Sequence, residues 1–245
     1  MTLSTYATAT LAAAAVLTGT AADAAINYGT FNGDTVIFAN VQEDTDVFGA
    51  PIVSGDNLIF TPVDFQVQAE GGEIELLDAT VGFDLIAQDG FTLDEVNLQE
   101  TGFYSLIGVG GATTSVTAAI AGTVTFIEAG GVAINLANNQ AQFSEIFVQD
   151  NLGDGMDILN AWSGDIDVDL SDLALAAGLS SQQAQNITRA TFVIDNQLIA
   201  TSEDGSVSFI DKKGFDAFVV SVPEPTSAAV ILAGAGLLGL RRRSA

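Results

Sequence analysis

The chain has no cysteine and no histidine among its 245 residues, and only six lysines and arginines against 31 acids. Without cysteine there is no disulfide, no thiolate metal site and no cysteine nucleophile. Without histidine neither a Ser-His-Asp triad nor an imidazole zinc site can be built. Aromatic platforms are scarce as well, with one tryptophan, Trp162, and three tyrosines, Tyr6, Tyr28 and Tyr104. The four prolines are Pro51, Pro62, Pro223 and Pro225, so no Pro-rich linker divides the long stretch between Pro62 and Pro223.

The few basic residues are unevenly placed. Arg241, Arg242 and Arg243 crowd the C-terminus, which leaves residues 25–222 with 29 acids against Arg189, Lys212 and Lys213, a formal charge of −26. Such a field repels phosphate backbones and anionic membrane surfaces, so nucleic acid is excluded as a partner. It attracts cations and opposes self-association.

Both ends of the chain read as export elements. Residues 1–24 have the form of a secretory signal peptide, with an apolar stretch from Ala7 to Thr18 and Ala22-Asp23-Ala24 as an A-x-A cleavage site. At the other end, Pro223-Glu224-Pro225 is followed by an apolar run of 15 residues, Thr226 to Leu240, and then by the three arginines. A helix of that length reaches roughly 22 Å, a short membrane span, and arginines after it read as a positive-inside stop. Gly234, Gly236 and Gly239 spell G-x-G-x-x-G, but no crossover unit follows, so they read as small residues for helix contact in lipid.

The Pro-Glu-Pro motif, the short apolar helix and the basic cluster, in that order, closely resemble the PEP-CTERM sorting signal of bacteria. The resemblance covers about the last tenth of the chain. It implies that Pro223, Glu224, Pro225, Arg241, Arg242 and Arg243 form a sorting element read by an exosortase-type processing enzyme. It further implies passage through the secretion translocon and signal peptidase, transient anchoring in the inner membrane by the C-terminal helix, and delivery to the cell envelope or extracellular matrix.

Between the ends, residues 25–222 form one expected domain, with residues 223–245 as the sorting tail. Short runs rich in β-branched and aromatic residues recur, among them 35–38, 58–61, 64–68, 73–77, 80–86, 103–107, 123–127 and 132–136, with 190–194, 197–201, 207–210 and 215–222 further on. Turn signals such as Ser54-Gly55-Asp56, Gly71-Gly72, Asp89-Gly90 and Gly130-Gly131 separate them. The pattern predicts an all-β fold, an antiparallel β-sandwich or jelly roll. One helical crossover is expected: Ser171-Asp172 as cap, a helix through Ala177 ended by Gly178, and another turn between Ser180 and Ile187.

Carboxylates are the only plentiful chemistry. Asp150, Asp154 and Asp157, with Gly155, form an acidic loop that partly imitates a calcium site, although Leu152 stands where a second ligand is due. The simpler and favoured reading is a solvated turn; calcium is the one cofactor the sequence suggests. Asp165, Asp167 and Asp169 alternate and belong on one strand face, opposite Ile166, Val168 and Leu170. The favoured expectation is a non-enzymatic, exported surface or matrix protein. The alternative is a surface-displayed domain that binds or cleaves carbohydrate, such as an exopolysaccharide, for which exposed aromatics beside two close carboxylates would speak.

Overall fold

The computed structural model describes residues 25–108, 113–153 and 156–224. The expected signal peptide, the apolar segment 226–240, and Asp154, Pro225, Arg241, Arg242 and Arg243 lie outside the described residues. In chain order the strands are β1 (Ile26–Asn32), β2 (Val36–Glu43), β3 (Ile52–Ser54), β4 (Asn57–Phe60), β5 (Gln66–Glu70), β6 (Ile74–Ala87), β7 (Phe91–Ile107), β8 (Ser115–Ala129), β9 (Val132–Ala133), β10 (Gln140–Asn151) and β11 (Asp157–Asp169). Helices α1 (Leu170–Ala176) and α2 (Ser181–Ala184) follow, then β12 (Ile187–Thr201) and β13 (Val207–Pro223).

The strands form two antiparallel sheets. One runs β1-β2-β6-β12-β8-β10 with β9 on β8, and the other runs β11-β7-β13-β4-β3 with β5 on β13. This is the all-β, antiparallel arrangement the sequence predicts. Period-2 alternation drives the packing, because one face of each strand must leave water. In β12 the inward row is Ala190, Phe192, Ile194, Asn196, Leu198 and Ala200, all buried. Its counterparts across the core include Val96 and Leu98 of β7 and Phe215, Ala217 and Val219 of β13.

Phenylalanines form two groups within this core. Phe38, Phe83 and Phe192 form one group, with Phe83 stacked on Phe192 at 5.5 Å. Phe48, Phe60, Phe65 and Phe215 form the other, with edge-on contacts around Phe48 at 5.1–5.7 Å. Phe48 reaches the core from a loop, and buried Glu43 explains how. Its carboxylate accepts the N–H groups of Val47, Phe48 and Gly49, which folds the loop back over the end of β2. Tyr28 also donates its hydroxyl to Glu43.

Several strands are longer than the sequence pattern suggests. Residues 73–77 and 80–86 join in β6, 190–194 and 197–201 join in β12, and 207–210 and 215–222 join in β13. Polar interruptions at Asp78, Asp195-Asn196 and Asp211-Lys212-Lys213 sit within strands, because the ladder hydrogen bonds continue through them. At Lys212-Gly214 a register shift bulges β13, so that Lys212 and Phe215 both point inward.

The helical crossover carries the chain from the edge strand β11 to the centre of the other sheet. Its cap is Asp169, two residues earlier than Ser171, and the Asp169 carboxylate accepts from Asp172 N at 2.9 Å. The helix begins there because Leu170 is drawn fully into the core. Gly178 takes the C′ position at φ +88°, as its type favours, and Ser180 with Gln183 closes a capping box on α2.

Candidate functional site: the end of the sandwich where the tail leaves

β13 is the route from the domain to the tail. It pairs with β7 along its length, and the last pairs are Val222 with Thr92 and Pro223 with Phe91. Proline can close a strand because its missing N–H is no longer needed beyond the ladder. Glu224 N then donates to Gly90 O at 2.9 Å, so the chain is still held at the second residue of the Pro-Glu-Pro motif. A cavity of about 580 Å³ opens here, lined by Ala129, Gly130, Val132, Gln182, Gln183, Asn186 and Glu224. The β8–β9 turn and α2 form its walls: Gly130 N donates to Asn186 O, and Asn186 Nδ2 donates to Gln182 O. The motif therefore emerges beside a recess of mixed character, with the amides of Gln182, Gln183 and Asn186 on one side and Ala129 and Val132 on the other. Sequence reasoning missed the recess, since its residues come from three separated segments.

A second depression, about 370 Å³, lies on the outer face of the first sheet. Ala119 and Ala121 form its floor, with Ser144, Glu145 and Ile146 of β10 on one side and Asp195 and Gln197 of β12 on the other. Burial pushes the Asp195 carboxyl up to about 7, helped by a hydrogen bond and charge repulsion from Asp78 and by the charge of Asp44. One strand end away, Asp84 behaves oppositely. Burial raises it, but hydrogen bonds from Thr191, Arg189 and Asn40 outweigh that and hold it below the usual carboxylate range.

The acidic loop residues that the structure describes are tied to the protein. Asp150 Oδ2 accepts the Tyr104 hydroxyl at 2.5 Å, and Asp157 Oδ1 accepts from Asn160 Nδ2, which also reaches the Tyr104 oxygen at 3.4 Å. Burial and the Asp150 hydrogen bond raise the Tyr104 phenol. Among the described residues no group of three acids is gathered as a metal cluster. Asp165, Asp167 and Asp169 do stand on the exposed face of β11, as their period implies, with Asp167 accepting from Asn97 at 2.6 Å. Trp162 is buried and donates Nε1–H to Asp211 O.

The fold and this junction define a class: an antiparallel β-sandwich whose last strand continues into a C-terminal sorting tail. Residues 221–244 match the family model described as the PEP-CTERM protein-sorting motif, so the tail is a motif of that kind. No curated protein matches the sequence. Among solved structures, the chain is similar to TmCBM61 in complex with β-1,4-galactotriose at 13% identity, covering 71% of this chain and 91% of that one, with a TM-score of 0.23. It is also similar to the infectious bursal disease virus VP2 subviral particle, at 12% identity, 86% and 56% coverage and a TM-score of 0.25. A family 12 xyloglucanase from Bacillus licheniformis gives 9% identity, 80% and 99% coverage and a TM-score of 0.23. Likenesses at these scores decide nothing about ligand or activity. Among the described residues no helix is long and apolar enough to cross a membrane.

Proposed function

We propose that the protein is an exported, non-enzymatic surface or matrix protein, an acidic β-sandwich displayed and then released through its sorting tail. The observation that carries this reading is the continuity of β13 into Pro223 and Glu224, which makes the sorting motif a direct extension of a core strand. A domain joined this way needs no flexible stalk to present the motif at the membrane face. In the proposed sequence of events the translocon and signal peptidase handle residues 1–24, the segment 226–240 and the arginines hold the chain in the inner membrane, and an exosortase-type enzyme processes it. The −26 charge of the body keeps the released domain soluble and away from anionic surfaces.

The test is fractionation of a host that has an exosortase, comparing the full chain with one ending at Val222. The full chain should pass from the inner membrane to the envelope or matrix fraction, while the truncated chain should stay in the periplasm. Identical distributions would overturn the reading.

A second reading, a carbohydrate-binding domain on the same tail, draws on the depression beside Asp195, where Gln197, Ser144 and Glu145 offer hydroxyl-binding groups. It is weaker because the Trp162 indole N–H and the Tyr28 and Tyr104 hydroxyls are already hydrogen-bonded within the protein. Co-sedimentation with the host's exopolysaccharide, lost in Gln197→Ala, would favour it.

A further inference from the structure

Three polar side chains meet inside the core. Lys212 of β13 and Glu100 of β7 are fully shielded from solvent, and so is Asn196 of β12 on the opposing sheet. Lys212 Nζ lies 2.6 Å from Glu100 Oε1 and 2.7 Å from Asn196 Oδ1. The rings of Phe65 and Phe48 close over the amine, with centroids at 4.7 and 5.9 Å.

As a merely structural ion pair this arrangement is poor. Two charges have left water, and Glu100 Oε2 has no hydrogen-bond partner. Asn196 Nδ2 has only a 3.5 Å contact with Ile194 O. An apolar core of the same volume would cost less. As a reactive arrangement it has the parts it needs: a nucleophile, Lys212, touches both an amide electrophile and an acid–base group, the free Glu100 oxygen is unpartnered, and all three side chains are shielded from water. Burial presses both titratable groups toward their neutral forms, lowering Lys212 and raising Glu100, against the attraction between them. A desolvated lysine of that kind is a nucleophile.

We propose that Lys212 and Asn196 become joined by an intramolecular amide, formed by the folded protein itself with Glu100 as the catalytic acid–base, so that the two sheets are covalently stapled.

The step balances without any further reactant. Proton transfer within the ion pair leaves a free amine and a carboxylic acid. Lys212 Nζ attacks Asn196 Cγ and forms the new C–N bond. Glu100 takes a proton from Nζ through one oxygen and delivers a proton to Nδ2 through the other, the Cγ–Nδ2 bond breaks, and ammonia departs. Glu100 ends as the carboxylic acid and the buried charges are gone. Fixed contact between the groups replaces a bimolecular encounter, which is the largest advantage such a step can have. The bond ties a strand at the centre of one sheet to a strand at the centre of the other, in a chain that has no cysteine to do so.

The experiment is mass analysis of the purified full chain. The intact mass in denaturant should fall short of the sequence mass, corrected for the termini found, by one ammonia. Proteolysis should yield a branched peptide joining the Lys212 and Asn196 segments. Glu100→Gln preserves shape and should fold, by its circular dichroism, yet keep full mass; Asn196→Ala and Lys212→Met should also lack the branched peptide. A folded wild-type protein at full mass overturns the proposal. So does an ammonia loss with only linear peptides, which is succinimide formation at Asn196. A branched peptide that persists in Glu100→Gln overturns the role given to Glu100. The wild-type peptide map decides between these even if a variant fails to fold.

Discussion

The indole of Trp162 in β11 donates its Nε1–H to the backbone carbonyl of Asp211 in β13, 3.0 Å away, reaching across the strand that separates them. It can do so because that strand, β7, has Gly102 at the crossing. A Cβ on Gly102 would sit 2.0 Å from the Asp211 oxygen and 2.6 Å from the indole nitrogen. Gly102→Ala should therefore lower the unfolding free energy by about 3 kcal/mol, as overpacking against backbone does. Trp162→Phe, which keeps a ring but leaves the carbonyl unpartnered, should cost about 1–3 kcal/mol. Denaturant titration followed by circular dichroism checks both. A Gly102→Ala protein as stable as wild type would contradict the crossing.

Asp195 and Asp84 predict opposite pH slopes. Asp195 has a folded value near 7 against an ordinary 3.8. Between about pH 4 and 7 the folded state thus binds more protons than the unfolded chain, and stability falls as pH rises across that window. Asp195→Asn should flatten that fall, by about 1–2 kcal/mol between pH 5 and 8 once the group's part exposure is allowed for. Asp84 is held below its ordinary value, so its contribution is present above the carboxylate range and is lost as pH falls through it. Arg189→Gln should shrink that acid loss. Melting temperatures across pH 3–8 test both signs, and parallel curves for wild type and Asp195→Asn would refute the first.

For the acidic loop, calcium at Asp150, Asp154 and Asp157 remains our proposal. It predicts that millimolar calcium raises the melting temperature more than equal magnesium, calcium binding stabilising the fold by about 2.7 kcal/mol at a hundredfold excess over its dissociation constant. The excess should shrink in Asp154→Ala. Equal shifts with both ions would make the loop a solvated turn in a diffuse cation atmosphere.

What the sequence made legible was the fold class, the turns and the tail. Alternation marked the strands, and Gly55, Gly71-Gly72, Gly90 and Gly130-Gly131 fell at turns as expected. The first strand and residues 91–102 of β7 went unread, the latter because Asp94, Glu95, Asn97, Gln99 and Glu100 dilute its apolar row. The places where the pattern seemed to stop were informative. Asn196 fell in a gap between two predicted strands, Lys212 in another, and Glu100 in the unassigned stretch, and these three meet in the core. A polar residue on the inward phase of a strand looks like a break in a linear pattern. Only the pairing of sheets, which is non-local, shows that it has partners.

The central claim is that the tail is read and removed where it leaves β13. The most direct measurement is the C-terminal mass of the mature protein from a host with an exosortase and from one without. With the enzyme, mature molecules should lack the residues beyond the Pro-Glu-Pro motif, while without it the chain should extend through Arg243. If most mature molecules from the exosortase host keep Arg241, Arg242 and Arg243, the claim is contradicted.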